Sequence, residues 1–413
     1  MFKLKAALAT LMLTAMVAPT YAQDTTLTVS RWSGGSADAQ AQLMRQFTEE
    51  TGIKVNLDAV DWSQLKQKQV LSMSGATGQY DLVMVHDTWF KEYVQSGYLH
   101  PVDEYLGNEA LTGADFDIAD FAKGMIDGAT ADGKFYGVPT NPAVPIFVYN
   151  KEMLDAEGIS APTNWSELIA AAKHFSEKGS GIALPAQQSG APVELWASIM
   201  RALGGDYFTA DGKLDIASPE AVQAAQMWKD LNQYAVRGSN NWHWADTNKA
   251  VQLGDAPLAV VLSGIAADLE NPENSRVVGK LGYSPLPPPD GKDAYGVMSF
   301  FCWCVAANSP NKEAAFQLSA WLTSKAQLTR LNLEIMPEIT GRASIGENPE
   351  VAAKLPFLPA VGAALANSGT LPSDANAPKV NDRIGAVLSG IVVNNADPKA
   401  ELDAAQAELA ALY

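Results

Sequence analysis

Cysteine is almost missing from this chain: Cys302 and Cys304 are the only two among 413 residues. A disulfide scaffold is thereby excluded. The two lie on one face of any extended strand that contains them, with Cα atoms near the limit of roughly 7 Å for bridging. Either a strained local disulfide or a pair of buried thiols follows. Histidine is scarce too. His86, His100, His174 and His243 show no metal-ligand spacing, and no nucleophile elbow or glycine-rich phosphate loop is present. Neither a metal nor a cofactor is therefore expected. Basic residues are outnumbered, 29 against 46 acidic, for a formal charge of −17. That argues against nucleic acid and against an anionic membrane surface, both of which are bound through cationic side chains. The acidity keeps the chain soluble, and it can also steer it toward a basic docking surface.

Long apolar runs are absent after residue 22. Before it, Lys3 and Lys5 precede the stretch AALATLMLTAMVA, and Thr20-Tyr21-Ala22 supplies small residues at the −3 and −1 positions of a cleavage site. The stretch is shorter than the ~20 residues of a spanning helix. An export signal cleaved after Ala22 is expected, and with it a periplasmic location. No cysteine follows it to carry a lipid anchor. Without Lys3 and Lys5 the balance is 27 basic against 46 acidic residues, or −19. The remaining length exceeds the ~250–300 residues at which one core stops growing, so two domains are expected.

Short β-rich runs alternate with amphipathic helices. Thr26 to Ser30, Ile53 to Leu57 and Asp81 to Val85 read as strands, and 37–51 and 63–74 as helices. Ala41, Leu43, Met44 and Phe47 share one face of the first helix, and Gly52 closes it. Such βαβαβ order gives a doubly wound sheet, with ligands beyond the carboxyl ends of the strands. The loops there hold Trp32, Asp61-Trp62 and His86 to Trp89. Pro139, Pro142 and Pro145 stiffen a stretch that suits a crossing between domains. Pro162 to Glu167 opens a helix of a second α/β lobe, Ala256 to Leu262 is a strand ending in Ser263-Gly264, and the proline run 287–289 suggests a crossing back. Phe300 to Val305 continues as strand and 311–324 as helix.

Several blocks together resemble a known family, the extracellular solute-binding proteins of bacterial ABC importers, in the maltose-binding-like group. They are Thr51-Gly-Ile-Lys-Val55, the run from Tyr80 to Leu99, Gly137-Val-Pro-Thr140, Tyr149 to Met153, Pro162 to Leu168, Gly254 to Gly264, and Ala307 to Ala315. They occur in order over nearly the whole mature chain. The resemblance implies a two-lobed α/β fold, the type II periplasmic-binding-protein fold, with each lobe a doubly wound sheet flanked by helices and hinge crossovers between them. It implies a sugar or polyol ligand held in the interlobe cleft, a membrane permease as partner, and a monomer. Expected boundaries are 24–139 plus 290–335 for the first lobe and 140–289 plus 336–413 for the second.

Candidate contacts follow from chemistry. Among ten tryptophans, Trp165, Trp228 and Trp321 sit at helical spacing with apolar neighbours and suit a core. Trp32, Trp62, Trp89, Trp196, Trp242, Trp244 and Trp303 lie at strand ends or in polar loops, where a ring can cover the C–H face of a sugar. Of these, Trp32, Trp196, Trp242 and Trp303 are taken as candidates. Asp87 matches the family's ligand carboxylate, with helix capping as its alternative role, and Thr88 suits either role. Asn141 offers donor and acceptor together, or fixes a hinge turn. Gly34 and Gly264 sit at strand-end loops. Arg342 is a ligand contact or a pin to a carboxylate. Departures from the maltose-binding pattern are Gly34 and Gly35 for a charged pair, Ala143 for an acid and Ala266 for a tryptophan. Phe300, Phe301 and Trp303 replace small residues, so Phe301 joins the contacts. This bulk shortens the cleft toward a monosaccharide, polyol or short glycoside. An exported glycosidase remains the alternative, since paired carboxylates are not excluded by an acid-rich chain.

Overall fold

The computed structural model describes residues 25–33 and 37–413. The expected export signal and the candidate Gly34 lie outside those residues. β1 (Thr26–Trp32), β2 (Lys54–Val60) and β3 (Leu82–His86) alternate with α1 (Ala37–Thr51) and α2 (Trp62–Met73). The helix expected over 37–51 agrees with α1 at both ends. It buries Gln40, Leu43, Met44 and Phe47, a stripe that needs a sheet to cover it. Covering the sheet returns the chain to the same edge, so β1 pairs in parallel with both β2 and β3. Gly52 ends α1 at φ +78°, a left-handed conformation in which a Cβ is costly. Asp61 caps α2 by accepting a hydrogen bond from Ser63 N.

A hairpin of β4 (Thr130–Ala131) and β5 (Lys134–Phe135) leads to β6 (Gly137–Ala143). After the single residue Val144 comes β7 (Pro145–Asn150). Then follow β8 (Ile182–Ala183), β9 (Leu258–Leu262), β10 (Leu281–Pro285), β11 (Gly296–Val297), β12 (Ser299–Val305) and β13 (Ser368–Gly369). One sheet has the order β2-β1-β3-β12-β6 and the other β10-β7-β9-β8. Both are mixed, as many doubly wound sheets are, and both are flanked by helices as expected. β12 is antiparallel to β3 and β6, and β7 is antiparallel to β9 and β10. Connectivity explains it. β6 leaves the first sheet at the edge where β1 to β3 end, and β12 enters at that same edge, so it must run the other way.

β6 stays paired in the first sheet as far as Ala143, so the change of sheet falls at Val144 rather than at 139/140. The return lies between Pro285 and Ser299, where β11 pairs with β13. A second apolar cluster, including Phe147, Leu168, Trp196, Trp228, Val260 and Ile384, fills one face of the second sheet beneath the helices Trp165–Glu177, Gly190–Leu203, Pro219–Asn232 and Ala377–Val393. Each such side chain contributes about 1.5–3 kcal/mol on burial. Cys302 and Cys304 are buried free thiols, which settles the earlier choice. Among the described residues no helix is long and apolar enough to cross a membrane.

Candidate functional site

The carboxyl ends of β1 and β3, the loop after β2 and the first residues of β12 bring five rings together. Trp32 and Phe301 stack with centroids 6.3 Å apart and planes 7° apart. Trp62 stacks on Trp89 at 4.7 Å and sets its edge to Trp32 at 6.5 Å and to Phe301 at 6.1 Å. His86, the register partner of Phe301, meets that ring edge-on at 4.9 Å. Trp62 stays 44% exposed, so this wall has an open side. Stacked and edge-to-face pairs each add about 0.5–1.5 kcal/mol beyond burial. The wall is held by its own members.

Asp87 stands beside it, buried at the start of α3 (Asp87–Gln95). The helix is capped not by Asp87 but by His86, whose Nδ1 accepts from Thr88 N. Asp87 Oδ1 instead accepts a hydrogen bond from Phe300 N at 3.3 Å and lies 3.1 Å from His86 Nδ1. Burial pushes the Asp87 carboxyl above its usual range, and the neighbouring His86 opposes this. Burial also holds His86 below its ordinary value, against the pull of Asp87. Thr88 is exposed, with Oγ1 2.8 Å from His86 Nδ1.

Asn141 adopts φ +46°, unusual outside glycine, and donates from Nδ2 to Glu338 Oε2 at 3.1 Å while accepting from Thr140 Oγ1 at 3.0 Å. Arg31, next to Trp32, is buried; burial lowers its pKa to about 10, with Glu338 and Asp38 opposing. On the second lobe, β8 and β9 end at the same side of their sheet. There Gln187 N donates to Trp242 O, which joins the loop after β8 to the half-buried Trp242. Gly264 is exposed and faces the crossing, where a Cβ would meet Ala143 Cβ at 3.3 Å.

Three candidates lie elsewhere. Trp196 is fully buried in the second-lobe core; its Nε1 donates to Ala221 O and its ring meets Tyr207 edge-on. An apolar helix face claimed it. Trp303 is 1% exposed, one strand repeat deeper than Phe301, and backs the wall rather than lining it. Arg342 is buried, donating to Thr323 O at 2.6 Å, Asp117 O at 2.7 Å and Asp120 Oδ2 at 3.1 Å, with its guanidinium 4.2 Å over Phe121. It is the pin, and it holds its segment to the first lobe.

Glu194 escaped the sequence reading. It is the one acid in the apolar run Ala191 to Met200 of the helix Gly190–Leu203, a signal that was available. Its carboxyl is pushed up to about 8, by burial first and by the charge of Asp87 second.

A model of the bacterial extracellular solute-binding protein family matches residues 33–329. A probable amino-acid ABC transporter periplasmic-binding protein of Sinorhizobium fredii is 28% identical over 344 residues, 81% of this chain and 76% of that one. The erythritol/L-threitol-binding protein of Mycolicibacterium smegmatis is 28% identical over 310 residues, 70% of this chain and 64% of that one. The crystal structure of an ABC transporter solute-binding protein from Agrobacterium radiobacter in complex with ribitol superimposes with a TM-score of 0.78, at 26% identity, over 94% of this chain and 99% of that one. With its two mixed sheets, its crossings and a family match over most of its length, the chain belongs to the bacterial extracellular solute-binding proteins.

Proposed function

We propose that this protein is the periplasmic binding component of an ABC importer, taking a polyol, monosaccharide or short glycoside between its lobes and passing it to a membrane permease. The observation that carries this is the ring wall of Trp32, Trp62, Trp89 and Phe301 beside the buried carboxyl of Asp87. Flat apolar faces cover C–H surface, and a carboxylate accepts charge-assisted hydrogen bonds from hydroxyls, about twice as strong as neutral ones. The erythritol/L-threitol and ribitol ligands of the two relatives support a small polyhydroxylated solute. The relatives are transport proteins, and nothing favours the glycosidase alternative.

The site in this reading is Trp32, Asp87, Thr88, Asn141 and Phe301 on the first lobe, with Trp242 and Gly264 on the second. Gly34, expected in the site from the sequence, lies outside the described residues. The lobes meet at Val144, at 286–298 and after the Arg342 segment, and they close as hinged bodies. Ligand touching both lobes gains contacts only in the closed form and so shifts the population toward it. The test is a thermal-shift screen of the mature protein against polyols, monosaccharides, disaccharides and acidic sugars. A member of the first two sets is expected to raise the melting temperature by mass action and to be recovered unchanged. A melting temperature unmoved across the whole panel would sink the reading.

A further inference from the structure

β6 carries one residue more than its neighbour can pair. Thr140 stands opposite Phe301 and Ala143 opposite Ser299, so three steps along β6 match two along β12. The surplus is a β-bulge, and Asn141 within it takes φ +46°. A bulge re-aims a side chain away from the direction that strand alternation would give it. The displaced side chain here is half-buried, next to the register partner of the wall residue Phe301 and three residues before the crossing at Val144.

The Asn141 amide is held at both ends. Nδ2 donates to Glu338 Oε2 at 3.1 Å, and Oδ1 accepts from Thr140 Oγ1 at 3.0 Å. These two partners are unequal. A hydroxyl donates or accepts, so Thr140 suits either orientation of the amide, whereas a carboxylate only accepts. Turned about, the amide would set its oxygen against the Glu338 oxygen. Glu338 therefore decides which end carries the N–H. One N–H and one oxygen lone pair of the amide are left over among the described residues.

Glu338 is itself fixed in place. Asn332, fully buried in the π-helical turn Leu331–Ile335, donates from Nδ2 to Leu328 O at 3.0 Å and accepts the Glu338 N–H on Oδ1 at 2.9 Å. Single π turns recur at functional sites. On the far side, Gly341 O accepts from Ala122 N at 3.2 Å, and Arg342 is pinned by Asp120. The carboxyl sits between two anchors, both on the first lobe.

Resting on the sugar-or-polyol reading above, we infer that Glu338 is a positioning residue: it fixes the Asn141 amide so that an N–H and an oxygen lone pair together meet the ligand. A free hydroxyl matches that pair, because it donates and accepts at once, while a carboxylate or an ammonium matches half of it. An uncharged hydroxyl of the ligand is thereby selected at the crossing side of the cleft. A merely structural role would be a tie between the segment 332–342 and β6.

Reversing the hydrogen bond separates the two roles. When Asn141→Asp is combined with Glu338→Gln, the glutamine amide donates to a carboxylate at position 141. The tie and the total charge persist, and position 141 loses its N–H. Calorimetric titration of the mature protein takes erythritol, ribitol, D-mannitol and D-glucose as probes, and urea unfolding follows stability. The reversed variant should unfold near the wild-type midpoint yet bind about tenfold or more weakly. Glu338→Gln alone keeps an acceptor for Asn141 Nδ2 and should lose about threefold or less. If the reversed variant fails to fold, Glu338→Lys turns the same amide about with a donor-only group and should show the same large loss. Wild-type affinity in the reversed variant would overturn this inference and leave the sugar-or-polyol reading standing. A loss in Glu338→Gln as large as in the reversed variant would overturn it as well, by making Glu338 a direct contact. Failure of the wild type to bind any probe would remove the two readings together.

Discussion

Ser263 holds Val144 twice: Ser263 Oγ accepts the Val144 N–H at 3.0 Å, and Ser263 N donates to Val144 O at 3.0 Å. Val144 is the single residue between β6 and β7, so the sheet-to-sheet crossing is clamped from the end of β9. Ser263→Ala removes the acceptor of a buried N–H and should cost about 1–3 kcal/mol. Urea unfolding of the unliganded protein measures it, and an unchanged midpoint would show that the clamp is dispensable.

Asp87→Ala and Trp242→Ala should each weaken ligand binding tenfold or more, about 1.4 kcal/mol or above. The two residues stand on different lobes, so equal losses fit a ligand gripped from both sides. Titration with whichever compound stabilises the wild type decides it. Affinity unchanged in both variants would dissolve the site while leaving the family membership intact.

Trp196→Ala and Phe301→Ala should separate stability from binding. Trp196 is fully buried and hydrogen-bonded, so its loss should cost about 3–5 kcal/mol of stability. Phe301 is half-buried in the wall, and its loss should fall mainly on ligand affinity. Melting curves with and without ligand read both quantities in one experiment. The reverse pattern would exchange the two roles.

Arg342→Met removes the buried partner of the half-buried Asp120, which keeps Lys325 at 3.6 Å and two hydrogen bonds from Ser344, so the cost should be about 3 kcal/mol, the low end for a broken buried pair. Ligand affinity of the protein that remains folded should stay within about twofold, under 0.5 kcal/mol. A large loss of affinity at unchanged stability would return Arg342 to the ligand site.

Glu194 sets a pH dependence of known sign. Its folded pKa is raised from 4.5 to about 8, so between those values the folded state holds a proton that the unfolded state has lost. Stability therefore falls as pH rises through that window, and what Glu194 allows below pH 4.5 is fully withdrawn above about 8. The difference in unfolding free energy between wild type and Glu194→Gln should move in favour of the variant from pH 5 to pH 8.5. A pH-independent difference would mean that the carboxyl titrates normally.

The helix over 37–51, the strands ending at Trp32 and His86 and the family blocks were legible because each depends on neighbours within a few positions: apolar spacing, caps and left-handed glycines. Ranking the tryptophans was not. Trp32 ends a strand and lines an open wall, whereas Trp196, within the apolar run Ala191 to Met200, fills a core, and packing against the neighbouring helices decided which ring stayed open.

By itself, then, the order of residues determined the α/β class, the two lobes and the strand ends at which rings and a carboxyl collect. The tertiary structure alone decided that Arg342 serves the first lobe, that the crossing falls at Val144, and that burial raises the Glu194 carboxyl. The physical reason is range. Propensity and periodicity act over one or two turns, whereas the burial of a charge and its pairing depend on residues as far apart in the chain as Arg342 and Asp120, 222 positions, brought together only by the fold.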